Sequence, residues 1–181
     1  QSAPDALGGY RLAGELPPVD GKVSIYASAF DPAGGMLALG TANGEVVLWD
    51  LTSVEQPRRV GVLDAGRVAV YSLAFNADGS QLAAGTSEPS VVRWSVPAGG
   101  TGAPSPLPPI SGDFGGNVQA VDFHPTSDLL ATGSADGTLR IWQAPADGPA
   151  TLVGQASVGD STNFVHAVAF SPDGNLLASG E

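Results

Sequence analysis

Four short segments of this chain repeat one another: residues 29–32 (AFDP), 74–77 (AFNA), 122–125 (DFHP) and 169–172 (AFSP). Their phenylalanines, Phe30, Phe75, Phe123 and Phe170, lie 45, 48 and 47 residues apart. The three tryptophans, Trp49, Trp94 and Trp142, keep the same phase at 45 and 48 residues. A period of this length, carried by two independent markers, restricts the fold to stacked copies of one supersecondary unit.

Each unit reads as short strands. An apolar run leads into each Phe (24–30, 68–75, 118–123, 164–170), and a turn rich in Asp, Gly and Pro follows it. Pro presets the turn's φ and Gly takes the left-handed position. Second strands of small and apolar residues are predicted at 36–41, 81–86, 129–134 and 176–180. Asn43-Gly44 and Asp136-Gly137 then signal two-residue hairpins with positive φ at both central residues. Glu88-Pro89 breaks that rule, so a longer, irregular turn is expected there. Third strands end at the tryptophans (45–49, 90–94, 138–142), and weaker fourth strands are expected at 58–63, 107–111 and 150–155. No 11-residue window shows a helical period, which makes the chain all-β, and four strands per 45–48 residues describe one β-propeller blade.

The expected architecture is therefore a β-propeller of four-stranded antiparallel blades forming an incomplete ring. Blades span about 23–64, 68–111 and 117–156, with a partial blade at 163–181 and a lone outer strand at 9–16. Such a ring needs further blades, from the same chain or from another, and the isolated chain is not expected to be a stable monomer. The chain starts at Gln1 without Met or a basic–apolar leader, as a processed form or an internal piece would. The stretch 97–109, rich in Pro and Gly, reads as a surface loop within one blade rather than a proline-rich ligand.

Composition excludes several functions. Eighteen acidic against seven basic residues give a net charge of −11, and Lys22 is the single lysine. That argues against nucleic-acid binding, which needs a basic face, and against docking on anionic membranes. With no cysteine there is no disulfide, thiolate zinc site or iron–sulfur cluster. No apolar run approaches the roughly 18–20 residues of a membrane helix. A cytoplasmic location is the expectation, with an extracellular one left open.

Catalytic chemistry finds little support. Phosphate-loop and calcium-loop motifs are absent, and the aspartates are spread one per turn. His124 and His166 are the two possible bases of a hydrolytic triad. His124 sits in a turn, with Asp122 on the same face of the strand, and an ion pair or cap is expected. Two histidines cannot form a three-histidine metal site, and no cofactor or metal is expected, although an ion in a propeller channel is left open.

The residues resemble the tryptophan–aspartate (WD-repeat) β-propeller family from about residue 9 to 181. The best matches are the third unit, 121–142, and the fourth, 168–180, where the period, the Ser-x-Asp-Gly turn and the Trp agree. The Trp-Asp ending survives only as Trp49-Asp50, and the family's Gly-His pair is missing from every unit. The resemblance implies a buried hydrogen-bonded set of His, Ser/Thr, Asp and Trp in each blade. Only Ser134, Asp136 and Trp142 reproduce its last three members, with Thr41, Asn43 and Trp49 as the first-unit variant. Without the His, Asp136 is expected to take its donors from its own turn, and blade packing to rest mainly on apolar burial.

Within the inner strands, a uniform column of Ile25, Val70, Val118 and Val165 reads as packing. It is flanked by two variable columns: Ser24, Ala69, Asn117 and Phe164 on one side, Tyr26, Tyr71, Gln119 and His166 on the other. The resemblance implies that these lie near the axis at the narrower rim, joined by Ala42, Ser87 and Ala135, where partners dock. The candidate partner-binding residues are Tyr26, Tyr71, Gln119, His166, Asn117, Phe164 and Ser87.

The function expected is a non-catalytic protein-interaction scaffold that docks a peptide or domain, with a basic partner favoured by the acidic charge. The resemblance also suggests attachment to a kinase or nucleotide-hydrolysing domain. Two alternatives stand beside it: a propeller-fold hydrolase, lyase or sugar-handling enzyme whose site is completed by missing blades, and a structural half-propeller that self-assembles.

Overall fold

The computed structural model describes residues 15–17, 23–97, 102–158 and 164–181. The first sheet holds β1 (Ile25–Phe30), β2 (Met36–Thr41), β3 (Glu45–Asp50) and β4 (Arg58–Asp64), antiparallel and in chain order. The second holds β5 (Val70–Phe75), β6 (Gln81–Thr86), β7 (Ser90–Ser95) and β8 (Ser105–Ser111). The third holds β9 (Val118–Phe123), β10 (Leu129–Ser134), β11 (Thr138–Gln143) and β12 (Thr151–Ser157). A two-stranded sheet of β13 (Ala167–Phe170) and β14 (Leu177–Gly180) follows. The inner strands β1, β5, β9 and β13 stack in sequence, sheet on sheet, and there is no helix among the described residues. This is the all-β propeller architecture. The proposed strand at 9–16 lies almost wholly outside the described residues, and Glu15–Pro17 are not strand.

The uniform column explains how the sheets stack. Val70, Val118 and Val165 are fully buried, and each presses on a glycine in the second strand of the preceding blade. A Cβ on Gly40 would lie 2.6 Å from Val70 Cγ1, one on Gly85 2.8 Å from the Val118 carbonyl, and one on Gly133 2.7 Å from Val165 Cγ1. No side chain fits, so glycine sets how closely the blades approach. Each buried valine contributes about 1.5–3 kcal/mol. Ile25 departs from the column at 41% exposed, because no described blade precedes it. At the other end, a Cβ on Gly180 would meet nothing closer than Ala167 at 3.7 Å.

The hairpins differ from the expected two-residue type. In each blade three residues separate the second strand from the third. Within these hairpins Gly44 (φ 91°) and Gly137 (φ 72°) are left-handed, and among the described residues no non-glycine has positive φ. Gly137 N donates to Ser134 O (3.1 Å), the pattern of a turn closed by a left-handed glycine. The second blade's turn is no longer than the others. Ser90 N donates to Glu88 O (2.7 Å), and the Thr86 hydroxyl is bonded to Glu88 O and Ser90 O. The outermost strand β8 starts two residues before the expected 107, taking in Ser105 and Pro106 of the expected loop, and it tolerates Pro106, Pro108 and Pro109 because an edge strand leaves amides unused.

Polar contacts between blades are more numerous than an apolar seam would have. Arg93 is fully buried without a carboxylate. It donates to Gln81 Oε1 (2.8 Å) and Pro108 O (3.1 Å) in its own blade, and to Pro145 O (3.2 Å) and Gly148 O (2.8 Å) in the next. Gln81 Nε2 donates to Ala144 O (3.0 Å) across the same seam. Of the expected ion pair or cap, the pairing of Asp122 with His124 does not form, while His124 caps its own turn at Thr126 N. Both reach forward into the next unit instead: Asp122 Oδ2 accepts from Phe170 N (2.6 Å), and His124 Nε2 lies 3.1 Å from Gly174 O. His124 Nδ1 accepts from Thr126 N (3.2 Å), so Nε2 carries the proton and donates to Gly174.

The expected Ser134–Asp136–Trp142 set loses its tryptophan, while Asp136 N still donates to Ser134 Oγ (3.5 Å). Trp142 Nε1 donates to Thr132 Oγ1 (3.0 Å), not to either partner, while Ser134 Oγ donates to Gly116 O (3.2 Å). Asp136 accepts from its own turn at Thr138 N (3.0 Å), but also from the Arg140 guanidinium (2.8 Å) and Gly115 N (2.8 Å). These two supply donors that the missing histidine leaves open. Phe114 caps the group, 5.3 Å from Arg140 Cζ and 5.4 Å from the Trp142 ring. In the first blade Thr41 Oγ1 donates to Asn43 Oδ1 (2.5 Å), but Trp49 Nε1 is buried with no partner, since Leu39 stands where Thr132 would.

Three outcomes follow from this packing. Gly133→Ala should cost about 1–3 kcal/mol through overpacking against Val165, while Gly180→Ala should leave the melting temperature unchanged; equal effects would refute the socket. Arg93→Lys puts one ammonium where a fork is needed and should lower stability by about 1–3 kcal/mol in urea titration. Burial alone would raise the Asp136 pKa, but Arg140 and the Gly115 and Thr138 amides bring it from 3.8 to about 2. Its stabilisation is therefore complete above about pH 4 and lost as pH falls toward 2. Asp136→Asn should flatten that part of the curve of stability against pH.

Candidate functional site

The variable column turns out to be a structural device. Residues 25 and 27 pair with Thr41 and Gly40, so Tyr26 has no partner of its own in the ladder. Tyr71 is skipped in the same way between Val70 and Ser72, and Gln119 between Val118 and Ala120. Each is the extra residue of a β-bulge, which re-aims a side chain away from the ladder. His166 holds the corresponding place in the fourth unit, where its amide donates to Gly180 O (2.8 Å) just before β13.

The bulge explains why these positions vary while their neighbours do not. Val70 and Val118, before the bulges at Tyr71 and Gln119, are committed to Gly40 and Gly85, whereas the bulged residues lie outside the ladder. Tyr26 is 54% exposed, Tyr71 and Gln119 are half-buried, and His166 is exposed. Tyr26 and Tyr71, from adjacent inner strands, stand with ring centroids 6.1 Å apart at 31°. Phe164 and His166 meet edge-to-face at 5.7 Å. Between them in strand order, Gln119 Nε2 donates to Asn117 Oδ1 (3.1 Å). Two aromatic pairs thus flank one amide pair across four successive inner strands.

The turn residues join this row through a repeated backbone bond. Ala42 N donates to Ser24 O (2.9 Å), Ser87 N to Ala69 O (2.8 Å) and Ala135 N to Asn117 O (2.9 Å). Ser87 Oγ also accepts from Ala69 N (3.0 Å), so that hydroxyl is engaged by its own blade. Ser134, Asp136, Trp142, Thr41, Asn43 and Trp49 lie within the blades and outside this row. Among the described residues, no group of three His, Cys, Asp or Glu side chains could hold a metal ion.

Sequence reasoning identified the row but not its cause. The bulge leaves one trace in the sequence, a single variable position immediately after an invariant apolar column. Phe114 and Arg140, which complete the Asp136 group, were missed; the signal available was an Arg four residues after the Asp on a buried strand.

The WD domain, G-beta repeat family matches residues 58–95, 106–143 and 152–181, more than half of the chain. Each match begins at or within one blade's outer strand and continues into the next blade. Among curated relatives, a guanine nucleotide-binding protein subunit beta-like protein of Encephalitozoon cuniculi is 38% identical over 82 residues, covering 36% of this chain and 25% of the relative. A chromatin assembly factor 1 subunit FAS2 homolog of Oryza sativa subsp. japonica is 37% identical over 67 residues, covering 35% and 13%. The chain thus spans a quarter or less of the length of these relatives. Among solved structures, a chain of a mitotic checkpoint complex superposes with TM-score 0.73 at 21% identity, over 90% of this chain and 47% of that one. The Saccharomyces cerevisiae protein Sqt1 gives 0.71 at 19%, over 83% and 39%. The repeat period, the stacked four-stranded blades and the family match agree, and the chain belongs to the WD-repeat (WD domain, G-beta repeat) family.

Proposed function

We propose that the chain is a non-catalytic docking module that binds a peptide or protein domain across Tyr26, Tyr71, Asn117, Gln119, Phe164 and His166, with Ser87 at the margin. The observation that carries this reading is the placement of aromatic and amide side chains on successive β-bulges. There they stand outside the strand ladder, and none of them belongs to a core cluster. Aromatic side chains are common binding anchors because they bring large area at low entropic cost. Proteins similar in sequence or fold include a chromatin assembly factor subunit and a member of a mitotic checkpoint complex, names that speak of assembly. The net charge of −11 favours a basic partner, with an association rate that falls as salt rises.

The reading includes further blades. Ile25 and Gly180 are the two halves of the valine-on-glycine contact, each uncovered among the described residues. Blades from the same chain or another would cover both.

Tyr71→Ala with His166→Ala should weaken capture of a basic partner at least tenfold, the effect of losing one hot spot. The melting temperature should shift little, because neither side chain lies in the seam. Unchanged capture would overturn the docking role. Native mass spectrometry of the 181-residue chain should show assemblies of more than one copy, and a monodisperse monomer with one cooperative thermal transition would overturn the need for further blades.

A further inference from the structure

A cavity of about 230 Å³ opens at the seam between the first two blades. It lies at the far end from the aromatic row. Tyr26 is the second residue of its inner strand, whereas Asp31 follows that strand's last residue, some five residues or roughly 17 Å away. The floor is apolar, built from Met36, Val60 and Val96, which belong to or pack on the core that joins these blades. Three carboxylates line it, one each from the turn after β1 (Asp31), the end of β3 (Asp50) and the turn after β5 (Asp78). Among the described residues, no Lys or Arg lines it.

The carboxylates are there partly for the turns. Asp31 Oδ1 accepts from Met36 N (2.7 Å), Asp78 Oδ1 from Ser80 N (2.9 Å), and Asp50 Oδ1 from Thr52 N (3.0 Å). Asp50 Oδ2 accepts from Arg58 (2.8 Å), whose side chain is 73% exposed and stands outside the cavity. Thr52 and Arg58 hold the Asp50 pKa down to about 2, and Ser80 holds that of Asp78 below the ordinary value, so both are ionised at neutral pH. Turn formation alone would not require the three to converge on one apolar hollow.

Size and chemistry narrow the occupant. The volume is below the roughly 300–1,000 Å³ of sites for drug-sized ligands, and suits one long side chain. An apolar floor under an anionic rim matches a side chain with an aliphatic stem and a cationic head, which buries the stem and keeps the charge at the surface. We propose that this cavity is a second docking site, which takes a single Arg or Lys side chain presented by a protein partner. A partner could thereby engage the rim opposite the aromatic row, independently of it.

The test uses the full chain, amide and methyl NMR spectra, and the blocked peptide acetyl-Ala-Ala-Arg-Ala-Ala-amide as probe. Titration should shift the Gly35 and Gly79 amides and the Met36 methyl, and the shifts should weaken with added salt. The same peptide with norleucine or citrulline in place of Arg should leave them unmoved. Asp78→Asn and Asp31→Asn each keep an acceptor for the turn amide and should each weaken the titration roughly two- to fivefold, the size of one partly exposed ion pair. Tyr71→Ala with His166→Ala should leave it unaltered, which separates this site from the aromatic row. No shift at these groups, or equal shifts with norleucine, would overturn the proposal. Shifts that track protein concentration without peptide would assign the cavity to a second copy, and would overturn it too.

Discussion

The fold depends on one repeated contact, a valine seated on a glycine. Sheets that pack face to face ordinarily stand about 10 Å apart. Here the glycines at 40, 85 and 133 remove the side chain that would hold the inner strands away, and Val70, Val118 and Val165 occupy the space. The register of each blade on the last follows from that contact. So does the bulge beside it: the valine must stay in the seam while the rest of its strand continues pairing, and the residue between is pushed out of the ladder. The row of bulged side chains is a by-product of how the blades interlock.

Around that shared contact each seam is individual. Between the second and third blades, Arg93 and Gln81 bond to carbonyls of 144–148, and Ser72 Oγ accepts from Val121 N (3.1 Å). Between the third and fourth units, Asp122 and His124 reach forward, and His124 lies edge-on to Phe170 at 5.1 Å. The cost of burying Asp122 raises its pKa, while the Phe170 amide works against that. A buried cation met only by neutral oxygens, as at Arg93, accepts desolvation in exchange for many fixed hydrogen bonds. Such seams specify which blade follows which, something interchangeable valines cannot do.

The period, the strand count per unit and the all-β class were legible because they rest on residues whose chemistry is local: Phe and Trp in phase, Gly and Asp at turns. The packing column was legible for the same reason. The hairpins were misjudged because Asn-Gly and Asp-Gly serve both the two-residue turn and the three-residue turn closed by a left-handed Gly. The choice lies in φ at Asn43 and Asp136, which composition does not record. Donor identity was misjudged at Asp136 and Trp142 because it depends on side chains brought close only by the fold, Arg140 and Phe114 in one case and Thr132 in the other. The bulges were invisible as geometry, though not as pattern: Tyr26, Tyr71, Gln119 and His166 stood out by refusing the uniformity of their neighbours.

The proline-bearing strand β8 has one more consequence. The outermost strand of a blade offers its free backbone edge to any passing extended chain. In β8 three of seven residues have no amide hydrogen, so a strand arriving there finds a broken row of donors. The first blade guards β4 differently, with the exposed Arg58 and Arg59 on its outer strand. β12 has neither device: it contains no proline and no charge, and Leu152 and Val153 are 41% and 61% exposed. Proline and arginine thus blunt two of the three complete blades' outer edges against templated strand addition, and β12 carries neither.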